Sequence, residues 1–498
     1  MKLGRLLTAL ERRAKLPPSD RGADREVQGL AYDSRQVHKG DLFVALRGLK
    51  ATGADFAQDA IGRGAVAVVS DSPATETPAV PWVVVEDARH AMAVLADEFY
   101  EHPSESMTVV GITGTNGKTT TAYLLQSIFE AAGMKSGLLG TVAYRVGDEE
   151  ISSSRTTPES PDVQRMFRLM VDRGCRACAM EVSSHSLALK RVDETKFAAG
   201  VFTNLTRDHL DYHKDMESYF ASKRRLFELL PPGAPGVVNL DDPRGDAMAK
   251  AVSHPVTYAI KKPADVTPGP LSLTWEGLEF EIRTARGSVH VRSSLIGRPN
   301  VSNILAAVST AIAIDLGIEA IERGLAKLEG VPGRFQVVSD RRDDIVVVVD
   351  YAHTDDALRN LLETARPLAT RRLMTVFGCG GDRDRTKRPL MGAVAARLSD
   401  VVIVTSDNPR TEDPARIIDE VKRGVPNADR DRGTFFTIVD RTEAIDRAIK
   451  MAQPGDLVLL AGKGHEKTQV IGTLERPFDE VEIAREALQR RRTSSRAQ

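Results

Sequence analysis

Several things are scarce in this 498-residue chain, and each shortage excludes a class of protein. Three cysteines are too few for a disulfide-built scaffold and fit a reducing compartment. Two of them, Cys175 and Cys178 in "CRAC", have redox spacing but lead into an apolar strand-like run with no second Cys/His pair nearby, so packed, inert thiols are expected. Charge of one sign is also lacking. The 68 basic and 69 acidic side chains nearly cancel, which excludes the basic field that a nucleic-acid partner requires, and an anionic substrate must then be met by local clusters. Long hydrophobic runs are absent as well. The leucines of "MKLGRLLTALERRAK" meet Glu11 and several arginines before a signal-peptide core develops, and nothing later approaches a membrane span. A cytoplasmic protein without membrane insertion is expected. No repeat or low-complexity tract stands out, and the Arg-rich end "RRRTSSRAQ" reads as a frayed tail.

What is present is enough chain for two to four compact units. The first hundred residues alternate short strand-like runs ("DLFVAL", "AVAVVS", "WVVVE") with helical stretches and end in the polar, linker-like "EHPSES". From "MTVVGIT" a longer α/β pattern runs through "CAMEVSS", "AAGVFTNLT" and a helix-like "VSNILAAVSTAIAIDLG" to "EGVPGR", whose composition marks a second boundary. The final third repeats strand, loop and helix: "DIVVVVD", "RLMTVFG", "DVVIVTS", "FFTIVD", "DLVLLAG". Such short, continuously apolar strands predict a parallel sheet covered on both faces. Its ligands would sit beyond the carboxyl ends of the strands, at the loops "YAHTDD", "CGGDRDRTKR", "DNPRTED" and "GKGHEK". The expectation is an α/β protein of three domains, at 1–104, 105–333 and 334–498, with parallel sheets in the central and C-terminal units.

"VVGITGTNGKTTTAYLLQSIF" reads as strand, glycine loop and helix. Its glycines let backbone N–H groups approach phosphate, Lys118 supplies a charge, and the hydroxyl of Thr119 or Thr120 can reach Mg²⁺ at a helix N-terminus. A strict GxxxxGK[ST] loop needs glycine where this chain has Ile112. No Asn-Lys pair occurs, so the base-reading motif of a GTPase switch is missing. A bare ATP site leaves a motor or a synthetase open.

In "DMESYFASKRRLFELL" the helical stripe Met216, Tyr219, Phe220, Lys223, Leu226, Phe227, Leu230 places a lysine on the apolar face. Periodicity alone favours a lysine that snorkels to the surface; the alternative is a buried amine of lowered pKa that can act chemically. Upstream, "FTNLTRDHLDYH" offers Asp208, His209, Asp211 and His213, and "AMEVSSH" offers Glu181, Ser183 and His185. A charged residue inside an apolar strand that points toward a phosphate site is a Mg²⁺ ligand candidate, against the alternative of an edge glutamate facing water.

Ten ordered motifs, among them "GTNGKTT", "MEVSSHSL", "FTNLTRDHLDYH", "YFASK", "VVDYAHT", "FGCGGDRDRTKRP", "DNPRTE" and "GKGHE", resemble the Mur ligases of bacterial wall synthesis over nearly the whole chain. The resemblance implies a UDP-sugar-binding N-terminal domain, a central P-loop ATPase-like domain and a C-terminal Rossmann-like domain admitting an amino acid. It also accounts for the shortened loop at Ile112. By resemblance, ATP phosphorylates the terminal carboxylate of UDP-MurNAc-L-Ala-D-Glu, and an amino-acid amine attacks the acyl phosphate. Gly114, Thr115, Asn116, Gly117, Lys118, Thr119 and Thr120 would hold ATP, with Asn303, Arg334, Asp350 and His353 as later nucleotide contacts. Thr119, Glu181 and His209 would serve Mg²⁺. Lys223 falls on the family's carbamylated lysine, which reverses the snorkelling preference. Tyr32 and Ser34 in "YDSR" would meet the uridine, with Leu49, Lys50 and Ala51 in the following loop. Thr156, Thr157, Ser183 and Arg191 would contact the sugar-dipeptide, and Leu189 stands where the family often has glutamine.

The same resemblance makes "DNPR" (Asp407, Asn408, Pro409, Arg410) the residues that select meso-diaminopimelate, with Arg383 for its carboxylate, Glu466 for its amine and Gly462 among the substrate contacts. A guanidinium presents a planar fork to the distal carboxylate that lysine lacks. An L-lysine-adding ligase, a folylpolyglutamate-synthase-like enzyme and a non-catalytic ATP-binding regulator are the alternatives, and a monomer is expected.

Overall fold

Strands that are apolar at every position can only be buried on both faces, and such strands organise the chain into parallel-rich sheets. The computed structural model describes residues 1–14, 22–48, 52–153, 155–427 and 433–495. The N-terminal sheet has four parallel strands in sequence order, Gly29–Ala31, Asp41–Ala45, Ala67–Ser70 and Trp82–Val84. The helices Leu3–Arg13 and Ala88–Phe99 cover one face of it, and Leu3, Leu6, Leu7 and Leu10 are fully buried.

The central sheet has eight strands. Thr108–Thr113 lies between Phe197–Phe202 and Ala177–Glu181, all parallel, with Ile112 in register with both Val201 and Glu181. That register matters because it brings the end of the Glu181 strand beside the glycine loop. The far edge is an antiparallel hairpin, Ala143–Val146 and Glu149–Ser152. One face carries the helices Lys118–Ala131 and Arg298–Ala313 together with a small antiparallel sheet; the other packs Ser160–Asp172 and Met216–Glu228.

The last sheet runs Gln336–Val337, Val346–Asp350, Leu457–Ala461, Leu373–Phe377, Val401–Val404, Phe435–Thr437, parallel except for its first strand. Separate apolar clusters cover its two faces, as the alternation of strands and helices predicts. Its four polar loops leave from the carboxyl ends of four of these strands.

One expectation needs correction. "RRRTSSRAQ" is no frayed tail as far as it is described: the helix Glu480–Ser495 continues through it, Arg491 pairs with Asp344 at 2.8 Å and Arg492 with Asp340 at 3.1 Å. "EHPSES" lies between the helix Ala88–Phe99 and the strand Thr108–Thr113, where Pro103–Ser106 forms a 3₁₀ turn with Pro103 and Ser104 buried. Cys175, Cys178 and Cys379 are free and buried, and burial raises all three thiol pKa values. Among the described residues no helix is long and apolar enough to cross a membrane.

Candidate active site

The glycine loop is shaped by its neighbours. Gly114 and Gly117 have φ of +153° and +89°, and a Cβ there would stand 1.9 Å from Thr203 Oγ1 and 2.3 Å from Asn303 Oδ1 respectively. Any side chain would therefore open the loop or strain it. Lys118 donates to the Gly114 and Thr115 carbonyls, each at 2.9 Å, and burial lowers its pKa, opposed by the nearby Glu181 and Asp208 carboxylates. Thr119 Oγ1 donates to Glu181 Oε2 at 3.1 Å and accepts from Arg334 at 3.0 Å. Arg334 also stacks 4.7 Å from the Tyr351 ring centroid.

Glu181 is 1% exposed on an interior strand, so the edge-glutamate alternative is ruled out. Besides Thr119 it accepts from Thr141 N at 2.8 Å and Thr141 Oγ1 at 3.0 Å. Thr141 was not singled out from the sequence; it lies in an ordinary-looking "GTVAY" turn and gains its role only from the strand register. It bonds Thr156 at 3.0 Å, while Thr157 donates to the Glu181 carbonyl at 2.9 Å and accepts from Ser183 N at 3.1 Å. Arg191 donates to the Thr157 carbonyl at 3.1 Å and pairs with buried Glu159 at 2.9 Å.

Lys223 is 1% exposed, so the snorkelling reading fails. Its Nζ lies 4.4 Å from the Tyr219 ring centroid, and no hydrogen bond to it is found among the described residues. Burial, reinforced by the Lys118 charge, pushes its pKa well below the lysine range. His209 stands nearby with φ of +54°, its Nε2 3.4 Å from Asp208, and burial lowers its pKa too. His185 and His213 stack around it and Tyr219. Among the described residues no three His, Cys, Asp or Glu side chains form a metal cluster.

A cavity of about 270 Å³ joins these groups to the C-terminal unit: it is lined by Lys118, Thr119, Glu181, Asp208, His209, Asn303, Arg334, Asp350 and His353, among others. Asp350 accepts from Phe335 N and Ala352 N at 2.7 and 2.8 Å. Asn116 donates to Asp356 Oδ2 at 3.2 Å across the two units, another contact not foreseen from the sequence.

The DNPR turn stands at the rim of the last sheet. Arg410 has φ of +51° and donates to the Gly381 carbonyl at 2.7 Å. A Cβ at Gly380 would lie 3.1 Å from Arg410 Nη1 and 3.9 Å from Arg383 Cγ, so both arginines flank one bare backbone position. Arg383 is exposed; Asp407 and Asn408 are buried. Asn408 donates to Glu466 Oε2 at 2.9 Å, which brings the amine and carboxylate candidates to one place. Fully buried Arg388 braces the loops by reaching Glu412 at 2.8 Å and Glu420 at 2.8 Å, and it holds the Glu412 carboxyl down at about 2.

In the N-terminal unit Tyr32 donates to Asp162 at 2.6 Å across to the central unit, and Ser34 is buried. Leu49, Lys50 and Ala51 lie outside the described residues.

Comparison with known proteins agrees with this arrangement. The Mur ligase family catalytic domain matches residues 26–100, the Mur ligase middle domain 112–311, and the Mur ligase glutamate ligase domain 333–464. The UDP-N-acetylmuramoyl-L-alanyl-D-glutamate--2,6-diaminopimelate ligase of Geobacter metallireducens is 48% identical over 486 residues, covering 93% of this chain and 95% of the relative. The ligase of the same name from Solibacter usitatus is 47% identical and covers 98% of each. A solved structure of a ligase of that name superposes with a TM-score of 0.69 at 33% identity, covering 99% of each chain. The chain belongs to the Mur ligase family, whose members are ATP-dependent ligases that form amide bonds.

Proposed function

We propose that this chain joins the D-Glu carboxylate of UDP-MurNAc-L-Ala-D-Glu to an amine of meso-diaminopimelate, with ATP hydrolysed to ADP and phosphate. The observation that carries the acceptor choice is the pair of arginines, Arg410 and Arg383, that flank Gly380, with the Glu466 carboxylate held by Asn408 of the same turn. A distal carboxylate and a distal amine answer that charge pattern together; lysine would leave two arginines without an anion. The relatives' names support the same choice.

In this reading the division at 1–104, 105–333 and 334–498 separates sugar, nucleotide and amino-acid binding. Tyr32 and Ser34 face the uridine, while Thr156, Thr157, Ser183 and Arg191 hold the dipeptide. Lys118 exchanges its two carbonyl partners for phosphate oxygens, and Asn303, Arg334 and Asp350 orient the nucleotide. The D-Glu carboxylate attacks the γ-phosphorus and ADP leaves as the β,γ-bridging P–O bond breaks; the amine then attacks the acyl phosphate carbon, and phosphate leaves as the amine sheds a proton. One protein carboxylate, one threonine hydroxyl and phosphate oxygens form a donor set that suits Mg²⁺, and the contact between Thr119 and Glu181 supplies the first two. Mg²⁺ there would offset the repulsion between the two anions.

Lys223 completes the centre as a carbamate. A buried amine without an acceptor is costly to keep charged, and the neutral amine is the form that adds CO₂. The product is a carboxylate-like group, beside His209, that can turn toward the cation. In this reading the enzyme works in the cytoplasm, where ATP is supplied, and as a monomer.

Phosphate release by purified protein with ATP, Mg²⁺ and the UDP-sugar dipeptide tests the reading. Turnover is expected with diaminopimelate and not with lysine, and Arg410→Ala should lower kcat/KM for diaminopimelate about tenfold to a hundredfold, the worth of one charge-assisted pair. Equal turnover with both amino acids would sink the specificity; turnover with neither would favour a regulator.

A further inference from the structure

Lys463, in the "GKGHE" loop, is fully buried, yet nothing in the proposed chemistry uses it. Its ammonium has three N–H donors, and all three are committed: to Asn408 Oδ1 at 3.0 Å, to Glu466 Oε2 at 2.6 Å and to the Thr468 carbonyl. These acceptors come from the DNPR turn, the loop that carries Lys463 itself, and the hairpin strand Thr468–Ile471. Asn408 is used up in the same knot. Its Oδ1 also accepts from Val470 N at 2.9 Å and its Nδ2 donates to Glu466 Oε2. The hairpin in turn grips Arg410, which donates from its backbone N–H to the Val470 carbonyl at 3.1 Å and accepts from Gly472 N at 2.7 Å.

Two consequences follow for the amino-acid subsite. Glu466 Oε2 accepts from both Lys463 and Asn408, so Oε1, which has no hydrogen bond among the described residues, is left for an incoming ammonium. Arg410, held in a left-handed backbone conformation that a free arginine avoids, keeps that conformation because the hairpin and the Asn408 turn are tied together through one buried cation. We propose that Lys463 is a positioning residue for the acceptor amino acid: it fixes the single Glu466 oxygen that meets the distal amine and the turn that presents Arg410 to the distal carboxylate. The proposal rests on the diaminopimelate reading above. A structural lysine would instead be expected to affect stability and both substrates alike.

The test is Lys463→Met, Glu466→Gln and the double variant in full-length protein, assayed for KM and kcat with each amino acid and with ATP. Lys463→Met should raise KM for diaminopimelate about tenfold, equivalent to about 1.4 kcal/mol, with kcat and the ATP KM within about twofold of wild type. Its preference for diaminopimelate over lysine should fall by a similar factor. Because Lys463 acts partly through Glu466 and partly through the turn that presents Arg410, the double variant should raise the diaminopimelate KM above that of Glu466→Gln alone but by less than the product of the two single effects, the mark of coupled residues. The double variant also leaves no unpaired buried charge, so if Lys463→Met does not fold it is read against Glu466→Gln: a higher diaminopimelate KM in the double variant supports the Arg410 turn's dependence on Lys463, and an equal one overturns it. An unchanged KM and preference in Lys463→Met, or multiplied KM effects in the double variant, would overturn the role. A wild-type enzyme active with diaminopimelate separates that failure from failure of the function; a wild type inactive with diaminopimelate overturns both.

Discussion

Lys223 sits on the apolar stripe of the helix Met216–Glu228 among Tyr219, Phe220, Leu226 and Phe227, all buried. A methionine there would pack as well, so packing alone gives no reason for an amine. Burial and Lys118 hold the amine's pKa far down, which favours its neutral, nucleophilic form. If its working form is the carbamate, Lys223→Ala should cost about a hundredfold or more in kcat, on the scale of removing one electrostatic group from a catalytic centre. The truncated side chain leaves a void beside Tyr219, so added formate or acetate should restore part of the rate and methylamine should not. Rescue by the amine, or by neither, would argue that the carboxylate is not what the centre needs.

The helix Ala88–Phe99 shows how an element ties two units together. Asp87 caps it by accepting from Arg89 N and His90 N at 2.9 and 3.0 Å, and the same carboxylate takes Lys190 Nζ at 2.6 Å from the central unit. His90 contacts the Arg13 carbonyl at 3.1 Å and Asp193 at 3.5 Å, and Arg13 reaches Glu194 at 2.9 Å. The Asp193 carboxylate raises the His90 pKa above its ordinary 6.5. The imidazolium therefore adds stability that is fully present below pH 6.5 and is lost as pH rises through the raised folded value. Half-buried, it contributes about 1 kcal/mol or less. His185, His209 and His213 have lowered pKa values and act in the opposite sense, so the comparison must be made by difference. The melting temperature of wild type should exceed that of His90→Gln below pH 6.5, with the gap closing at higher pH; a gap independent of pH would refute the assignment.

Across the whole molecule, the reacting groups come from different units, and polar contacts cross between the central and C-terminal ones beside the packing of Trp275 on the C-terminal core. Arg334 reaches Thr119 at 3.0 Å, Asn116 reaches Asp356 at 3.2 Å, and Trp275 Nε1 donates to the Leu368 carbonyl at 3.1 Å. Interfaces of this kind are expected to move during turnover. Asp356 is the side chain through which the helix Asp355–Ala365 steadies the glycine loop. Asp356→Ala should raise the ATP KM a few-fold, about what one hydrogen bond to a half-buried partner contributes, while leaving the diaminopimelate KM unchanged. A shift in the amino-acid KM instead would place its effect in the C-terminal unit.

The sequence by itself determined what depends on local pattern. Continuous apolar runs specified strands, because such segments cannot face water on either side; the spacing of the glycine loop specified a strand-to-helix turn; and the stripe through Lys223 put a lysine on an inward face. It also placed Asp407, Asn408, Pro409 and Arg410 in a loop at the rim of a parallel sheet. What only the tertiary structure decided are the meetings between distant segments. The register of Leu139, in the strand Ser136–Leu139, against Met180 brought Thr141 to the Glu181 carboxylate, the "RRR" segment became a salt-bridged helix end because Asp340 and Asp344 lie opposite it, and Lys463 proved to be the buried knot behind Arg410. Partners far apart in the chain leave no periodicity or spacing to read, since their proximity is fixed by how sheets and loops stack and not by the residues beside them.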